Sequence, residues 1–399
     1  MKILGIIAEY NPFHSGHKYH IEKAKKITSA DYVICIMSGN FTQQGNVAVL
    51  DKFTRAKIAC SYGVDLVLEL PTVFATSSSE YFAKSAISIL HSLGCIDYIC
   101  FGSEAKNIEE FNEVYTHITQ NKAKIDIAIK TKLDTGMAFQ NAKIKSICEE
   151  YNGKLDIDSF FKSNNILGLE YVMALKSLNS TIQPLCIHRS KSTYNSKVVA
   201  LNGLSSATSI REYLYANNDL TKLTCTIPEI SLKSLQNSYL PKNEDFYSVF
   251  RYIVLGNKNI IKDIDDISEG LENRIYANAV KCTSYGDFLN ATITKRYTLS
   301  KIKRIYCKIL LNITKEKSQL LYEKNALYAR ILALNTNSKC LLGHIAKSAN
   351  LPILSMLNQA SYKELNENQK CLLDVDILAT NLFDIIQKKT LNNDYFNRL

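Results

Sequence analysis

Residues 6–20 read IIAEYNPFHSGHKYH, and the order of events in that stretch decides the fold. An apolar run ends at Glu9, an Asn-Pro pair turns the chain at Asn11 and Pro12, and two histidines three apart, His14 and His17, bracket Gly16. The pattern predicts a strand, a sharp turn and a helix that opens at the tetrad HSGH. At such a helix start, free backbone N–H groups and the helix dipole already favour phosphate. Two imidazoles placed there donate to phosphoryl oxygens as negative charge builds in a transition state. Gly16 lets the backbone come close to a nucleotide that a side chain would obstruct. His20 lies one turn along the same helix face, where packing is its expected role. Two histidines around a glycine also occur on ordinary helix surfaces, and what separates this pair from them is the strand before it and the helix that begins at it.

Working outward, the first hundred residues repeat that alternation. Strands are predicted at residues 2–9, 32–37, 65–70 and 98–101, with helices at 17–28, 51–62 and 79–93. This is the pattern of βαβ units around a parallel sheet. Gly63 and Gly94 follow the second and third helices, where a left-handed cap residue is expected. Residues 108–163 form a helical insertion with no strand-like run, followed by a helix at 166–178 and a fifth strand at 182–187. From about residue 244 the pattern reads as helical almost throughout, with apolar spacing of three to four in 299–311 and 326–334. The expectation is an α/β protein: a Rossmann-like parallel-sheet domain over residues 1–217, then a basic, mainly α-helical domain over 218–399.

Bulk composition narrows the class. A chain of 399 residues with 46% hydrophobic residues can bury a full core in two or three domains. Eleven cysteines show neither a disulfide framework nor metal-ligand spacing, as expected of a reduced, cytoplasmic protein without disulfide partners. No metal site built by the chain itself is expected. The apolar start breaks at Glu9 before any signal-peptide cleavage pattern, and no run approaches the roughly 20 apolar residues that span a bilayer, so no membrane partner is expected. The net charge is +10, and residues 201–399 hold 26 Lys and Arg against 19 Asp and Glu. Within that half, residues 295–308 (KRYTLSKIKRIYCK) carry six basic residues and no acidic one. A polyanion suits such a stretch; a solvated helix face has the same composition.

These motifs together are similar to the tRNA(Met) cytidine acetate ligase family of the HIGH nucleotidyltransferase superfamily. The resemblance rests on GIIAEYNPFHSGHKYHI (residues 5–21), SGNFTQQGNVAVLDKFTRAKIACSYGVDLVLELP (38–71), FGSE (101–104), SNNILGLEY (163–171) and IHRS (187–190). It continues more loosely through EGLENRI (269–275) and the basic residues at 301–304. It implies an enzyme that joins acetate to ATP, forming acetyl-adenylate and pyrophosphate. The acetyl group would then pass to the wobble cytidine of elongator tRNA(Met), giving N4-acetylcytidine, with Mg²⁺ accompanying the nucleotide. By motif, the resemblance makes His14 and His17 catalytic. It places ATP against Ile7, Ala8, Glu9, Tyr10, Asn11, Pro12, Phe13, His14, Ser15, Gly16, His17, Lys18, Tyr19 and His20, and against Gly102, Asn164 and Arg189. Lys295, Arg296, Lys301, Lys303 and Arg304 would hold the tRNA through its phosphates.

Several of these residues have a physical reading of their own. Gly102 falls at the carboxyl end of a predicted strand, where open α/β sheets bind ligands, or serves a turn. Asn164 offers an amide to a ribose or base edge, or caps a helix. Arg189 closes a strand and suits a phosphate or carboxylate. Phe13 is expected to close a narrow acetate pocket. Asp51, Lys52 and Arg55 either close over phosphates or form an exposed charge arrangement on a helix. SSATSIREYL (205–214) is similar to a helix-start signature, ISSTxIR, of the same superfamily, with Ala207 breaking the run. Thr208, Ser209 and Arg211 still supply hydroxyls and a cation there, as would an ordinary capped helix. Two other functions stay open: an adenylyltransferase acting on a small phosphorylated metabolite, and an inactive RNA-binding protein. Retention of both histidines and the extra basic half favour the ligase.

Overall fold

The structure, a computed structural model, describes residues 1–189, 206–217, 219–268, 270–323 and 326–396. Ser190 and Ser205 of the quoted motifs, Glu269 and the expected domain boundary at residue 218 lie outside the described residues.

Seven strands form one sheet: β1 (Ile3–Ala8), β2 (Tyr32–Ser38), β3 (Leu66–Leu70), β4 (Tyr98–Ser103), β5 (Gln183–His188), β6 (Ala329–Leu334) and β7 (Ile353–Leu354). Their order is β5-β4-β1-β2-β3-β6-β7. The first five are mutually parallel, and all five are the strands the sequence predicts. Each central strand is buried on both faces, as parallel strands require. Thus Val33, Cys35 and Met37 pack on one side of the sheet, while Ile34 and Ile36 between them pack on the other. Helices α1 (Ser15–Thr28) and α2 (Lys52–Ser61) cover the first side. Helices α3 (Ser79–Ser92) and α4 (Ser163–Ser177) cover the second. Gly63 and Gly94 adopt positive φ (101° and 69°) where cap residues are expected. The insertion is helical, with Ile108–Gln120, Lys122–Asp134, Phe139–Glu150 and Ile157–Phe160.

Strand order reverses at β1, which has β4 on one flank and β2 on the other. The crevice beyond the carboxyl ends of β1 and β4 is therefore the topological switch point, the ligand position of open α/β sheets.

The C-terminal half is helical over much of its length, including α5 (Ala207–Ala216), α6 (Leu299–Leu310) and α7 (Glu367–Ile386). One prediction there is corrected. Residues 326–334, read as helical, contain β6, which runs antiparallel to β3 and extends the sheet. The run ARILAL is buried throughout the strand except at Leu334, and a short apolar run buried on both faces carries no period that separates strand from helix. Register is set by charge: Arg330 stands opposite Glu69, and its Nη1 lies 3.3 Å from Glu69 Oε2. The C-terminal helices share a core with N-terminal segments, in which Phe41, Val47, Val73 and Phe74 pack with Phe246, Phe250, Tyr306 and Phe383. No helix among the described residues is long and apolar enough to cross a membrane.

Candidate active site

The turn after β1 is tied down from several directions. Tyr10 has φ 47° and the Asn11–Pro12 peptide is cis. Asn11 Oδ1 accepts from Val49 N at 2.9 Å. Ser15 donates to the Thr226 carbonyl through both its backbone N (2.9 Å) and its hydroxyl (2.7 Å), and Ser231 Oγ donates to the Phe13 carbonyl at 2.9 Å. Phe13, expected to close an acetate pocket, is instead completely buried. It packs against Tyr10, Tyr62 and His17 and supports the turn from behind, because an aromatic ring in a tight turn gains more from core packing than from an open crevice.

His14 caps α1 in an extended conformation, and its side chain accepts from Gly16 N at 3.0 Å. His17, one turn on, accepts from the His14 backbone N at 3.2 Å. Both contacts use Nδ1. A neutral imidazole has one donor and one acceptor nitrogen, so this hydrogen-bond pattern assigns the proton of each ring to Nε2. The rings stack with centroids 3.8 Å apart. Burial, followed by Arg189 and Arg211, lowers His14 from 6.5 to about 3, and burial, followed by His14 itself, lowers His17 well below its ordinary value. The pair is neutral and presents N–H donors at a helix N-terminus. His20, further along α1, has a buried Nε2 with no partner among the described residues, and burial and then Arg189 lower it to about 4. Lys18 and Tyr19 are exposed on the helix, Lys18 lying 3.9 Å from Glu22.

The carboxyl ends of β4 and β5 supply the facing wall. Gly102 sits within β4, not in a turn, and a Cβ there would meet Arg189 Cδ at 3.1 Å. The missing side chain makes room for the arginine. Asn164 lies in the first turn of α4, beyond its cap Lys162. Its amide donates to Glu104 Oε1 at 2.5 Å and accepts from Arg189 Nη1 at 3.3 Å. The buried neighbour Asn165 accepts from Ser103 Oγ and from the backbone N of Glu104 and Ala105, at 2.8, 2.9 and 3.1 Å. Glu104 and Asn165 are missed by sequence reasoning. The signal was present, since each stands inside or beside a motif residue singled out for ATP.

Arg211 on α5 reaches the turn itself, donating to the Asn11 carbonyl at 2.7 Å, and Ser206 caps α5 by accepting from Ser209 N. Neither reading of Asp51, Lys52 and Arg55 survives in full. Lys52 and Arg55 have no exposed surface. Asp51 caps α2 through Thr54 N. Lys52 Nζ lies 2.7 Å from Glu69 Oε1 and 2.9 Å from Asp394 Oδ1, and Arg330 Nη2 lies 2.5 Å from the same Asp394 oxygen. Arg55 donates to the carbonyls of Leu50, Glu9, Ser38 and Gly39, so one guanidinium fixes the ends of β1 and β2. Burial of these charges is made tolerable by the ion pairs and carbonyl contacts they make with one another and with the backbone.

The basic stretch is divided. Lys295 and Arg296 are exposed, while Lys301, Lys303 and Arg304 are half-buried on α6. Lys308 turns inward and pairs with Asp265 and Asp266 at 2.5 and 2.6 Å. The helix touches the loop between β2 and α2, because Gly45, at φ 71°, lies so close that a Cβ would stand 2.5 Å from Arg304 N. Asn243 holds that loop, accepting from Val47 N and donating to the Gly45 carbonyl.

A parallel sheet with an HxGH helix start at its switch point defines a nucleotidyltransferase site, and the family model described as HIGH Nucleotidyl Transferase matches residues 1–397. Curated tRNA(Met) cytidine acetate ligases from Clostridium perfringens and Clostridium tetani are 37% and 38% identical, each covering 99% of this chain and 98% of the relative. Two crystal structures of Thermotoga maritima TmcAL, one bound with alpha-thio ATP and one apo, are 32% identical over 97% of this chain and 95% of theirs. Their TM-scores are 0.88 and 0.90. The chain belongs to the tRNA(Met) cytidine acetate ligase family.

Proposed function

We propose that this protein activates acetate with ATP as acetyl-adenylate and acetylates the wobble cytidine of elongator tRNA(Met) to N4-acetylcytidine. The observation that carries the reading is the pair His14 and His17, whose Nδ1 atoms are both engaged by backbone N–H groups and whose Nε2–H groups are left as donors at a helix start. That arrangement suits a reaction in which charge builds on the α-phosphate while acetate attacks in line and pyrophosphate leaves. Arg189 and Arg211 stand on either side of the turn as further cations for the phosphates, and Asn164 and Glu104 offer polar atoms to the nucleoside. Mg²⁺ accompanying the nucleotide would supply charge neutralisation for the leaving pyrophosphate. Among the described residues no group of three or more His, Cys, Asp or Glu is arranged to hold a metal.

For the second step the cytidine enters the crevice from a single-stranded anticodon loop, where leaving the stack costs little. Lys295, Arg296, Lys301, Lys303 and Arg304 would bear on tRNA phosphates from the helical half, residues 218–399, with Lys303 and Arg304 reaching the rim of the crevice. Its substrate pool places the enzyme in the cytoplasm. The test is purified protein with ATP, Mg²⁺, labelled acetate and total bacterial tRNA, followed by nucleoside analysis, alongside a His14→Ala/His17→Ala variant. Labelled N4-acetylcytidine from the wild type alone supports the reading. ATP cleavage without label in RNA removes the tRNA acceptor, and untouched ATP removes the enzyme.

A further inference from the structure

Acylation of an exocyclic amine releases a proton, and the two histidines are poorly placed to take it. Each Nδ1 already accepts a backbone N–H and each Nε2 already carries a proton, so the role left to the rings is donation. The head of the turn holds a different group. Glu9 follows directly on β1, its side chain only partly exposed. Gln43 N donates to its Oε1 at 2.8 Å, and Arg55 Nη1 fixes its carbonyl at 2.6 Å. Oε2 takes no hydrogen bond among the described residues. A carboxylate repels a triphosphate, so attraction for the nucleotide does not account for this group at the mouth of a phosphate-binding turn.

We propose that Glu9 is the proton acceptor of the acyl-transfer step. The inference rests on the function proposed above. The N4 lone pair of the cytidine attacks the acetyl carbonyl and a C–N bond forms. An N4 proton passes to Glu9 Oε2, the bond from acetyl carbon to phosphate oxygen breaks, and the electron pair leaves on AMP. Glu9 then returns the proton to solvent. The groups facing it are consistent with this role. Burial raises its pKa, opposed in order by the Gln43 N–H, by Arg211 on α5 and by Arg55 on α2, while Tyr171 on α4 is held neutral, far above its ordinary value, by burial and by Glu9 itself. A carboxyl raised in this way is a stronger base than an ordinary one.

The experiment compares wild type, Glu9→Gln and Glu9→Asp in two readouts: acetate-dependent exchange of pyrophosphate into ATP, and single-turnover transfer of labelled acetyl to tRNA from enzyme preloaded with ATP and acetate. Gln keeps the oxygen that accepts from Gln43 and removes the base. The loss in transfer should exceed the loss in exchange by about 10²-fold, the usual worth of a general base. The rising limb of the wild-type pH profile of transfer should vanish in Glu9→Gln and return, at a lower rate, in Glu9→Asp. Equal losses in the two readouts, or wild-type transfer by Glu9→Gln, would overturn the assignment. A wild type that shows neither exchange nor transfer would instead bring down the functional reading on which it rests.

Discussion

Lys52 Nζ lies 2.9 Å from Asp394 Oδ1, an ion pair whose members stand near opposite ends of the chain. Both are buried, together with Glu69, Arg330 and Asp376, so two cations and three carboxylates share one dry cluster. Removing one member strips a buried charge-pair contact from each of its partners and upsets the balance of the cluster, at a cost of about 3 to 5 kcal/mol. Lys52→Met and Asp394→Ala should each lower the stability read from urea unfolding by that order. An unchanged midpoint in both would show that the cluster contributes nothing to stability.

The histidine pair makes a prediction about pH. His14 titrates at about 3 in the folded protein against 6.5 ordinarily, so the unfolded chain binds the extra proton first. Its contribution to stability is intact above pH 6.5 and falls as the pH drops from there towards 3. Through that window the folded ring stays neutral. The rate of pyrophosphate exchange should therefore show no inflection near pH 6.5 from this residue, and ring resonances followed by NMR should not titrate there. A ring that protonates at 6 would contradict the donor role.

Gly102 and Arg189 are coupled by space. Gly102→Ala pushes a methyl group to 3.1 Å from Arg189 Cδ, tighter than a relaxed contact. It should raise KM for ATP in the exchange assay about tenfold, or about 1.4 kcal/mol, while leaving the thermal midpoint little changed. In the double variant with Arg189→Ala the two effects should fall short of their sum, as expected for residues in contact. Full additivity would separate the two residues.

The basic stretch divides by exposure. Replacing Lys295 and Arg296 by alanine should weaken tRNA binding and reduce the slope of log affinity against log salt by about one unit per charge removed. Lys308→Ala should act differently, lowering stability through the stranded Asp265 and Asp266. Equal effects of all three on the salt slope would place Lys308 on the RNA face after all.

The five parallel strands and the HxGH helix were legible because short apolar runs alternating with helical spacing, turn residues and cap glycines each leave a local mark. The pairing of the turn with distant residues leaves none. Nothing local says that Ser15 meets Thr226 or that Arg211 meets Asn11. Asp51, Lys52 and Arg55 misled because charges at three-to-four spacing on a helix suggest solvent, whereas the partners of Lys52 and Arg55 come from other strands, from loops and from much later in the chain. β6 was hidden because a strand buried on both faces looks like any short apolar run. Glu104 and Asn165 were hidden because their partners, the backbone N of Glu104 for Asn165 and the Asn164 amide for Glu104, lie about 60 residues away in the chain and meet them only in the fold.

The antiparallel return of β6 onto β3 has a consequence for biosynthesis. A growing chain presents the five parallel strands first, yet the edge of β3 stays open, and Lys52 and Glu69 lack Arg330 and Asp394, until residues 329–394 have left the ribosome. Before then the nascent protein carries an unpaired strand edge, the kind of surface that invites aggregation. The sheet is thus completed by segments made long after its parallel strands, and a message terminated before them yields a product that chaperones and proteases must handle, not a working half.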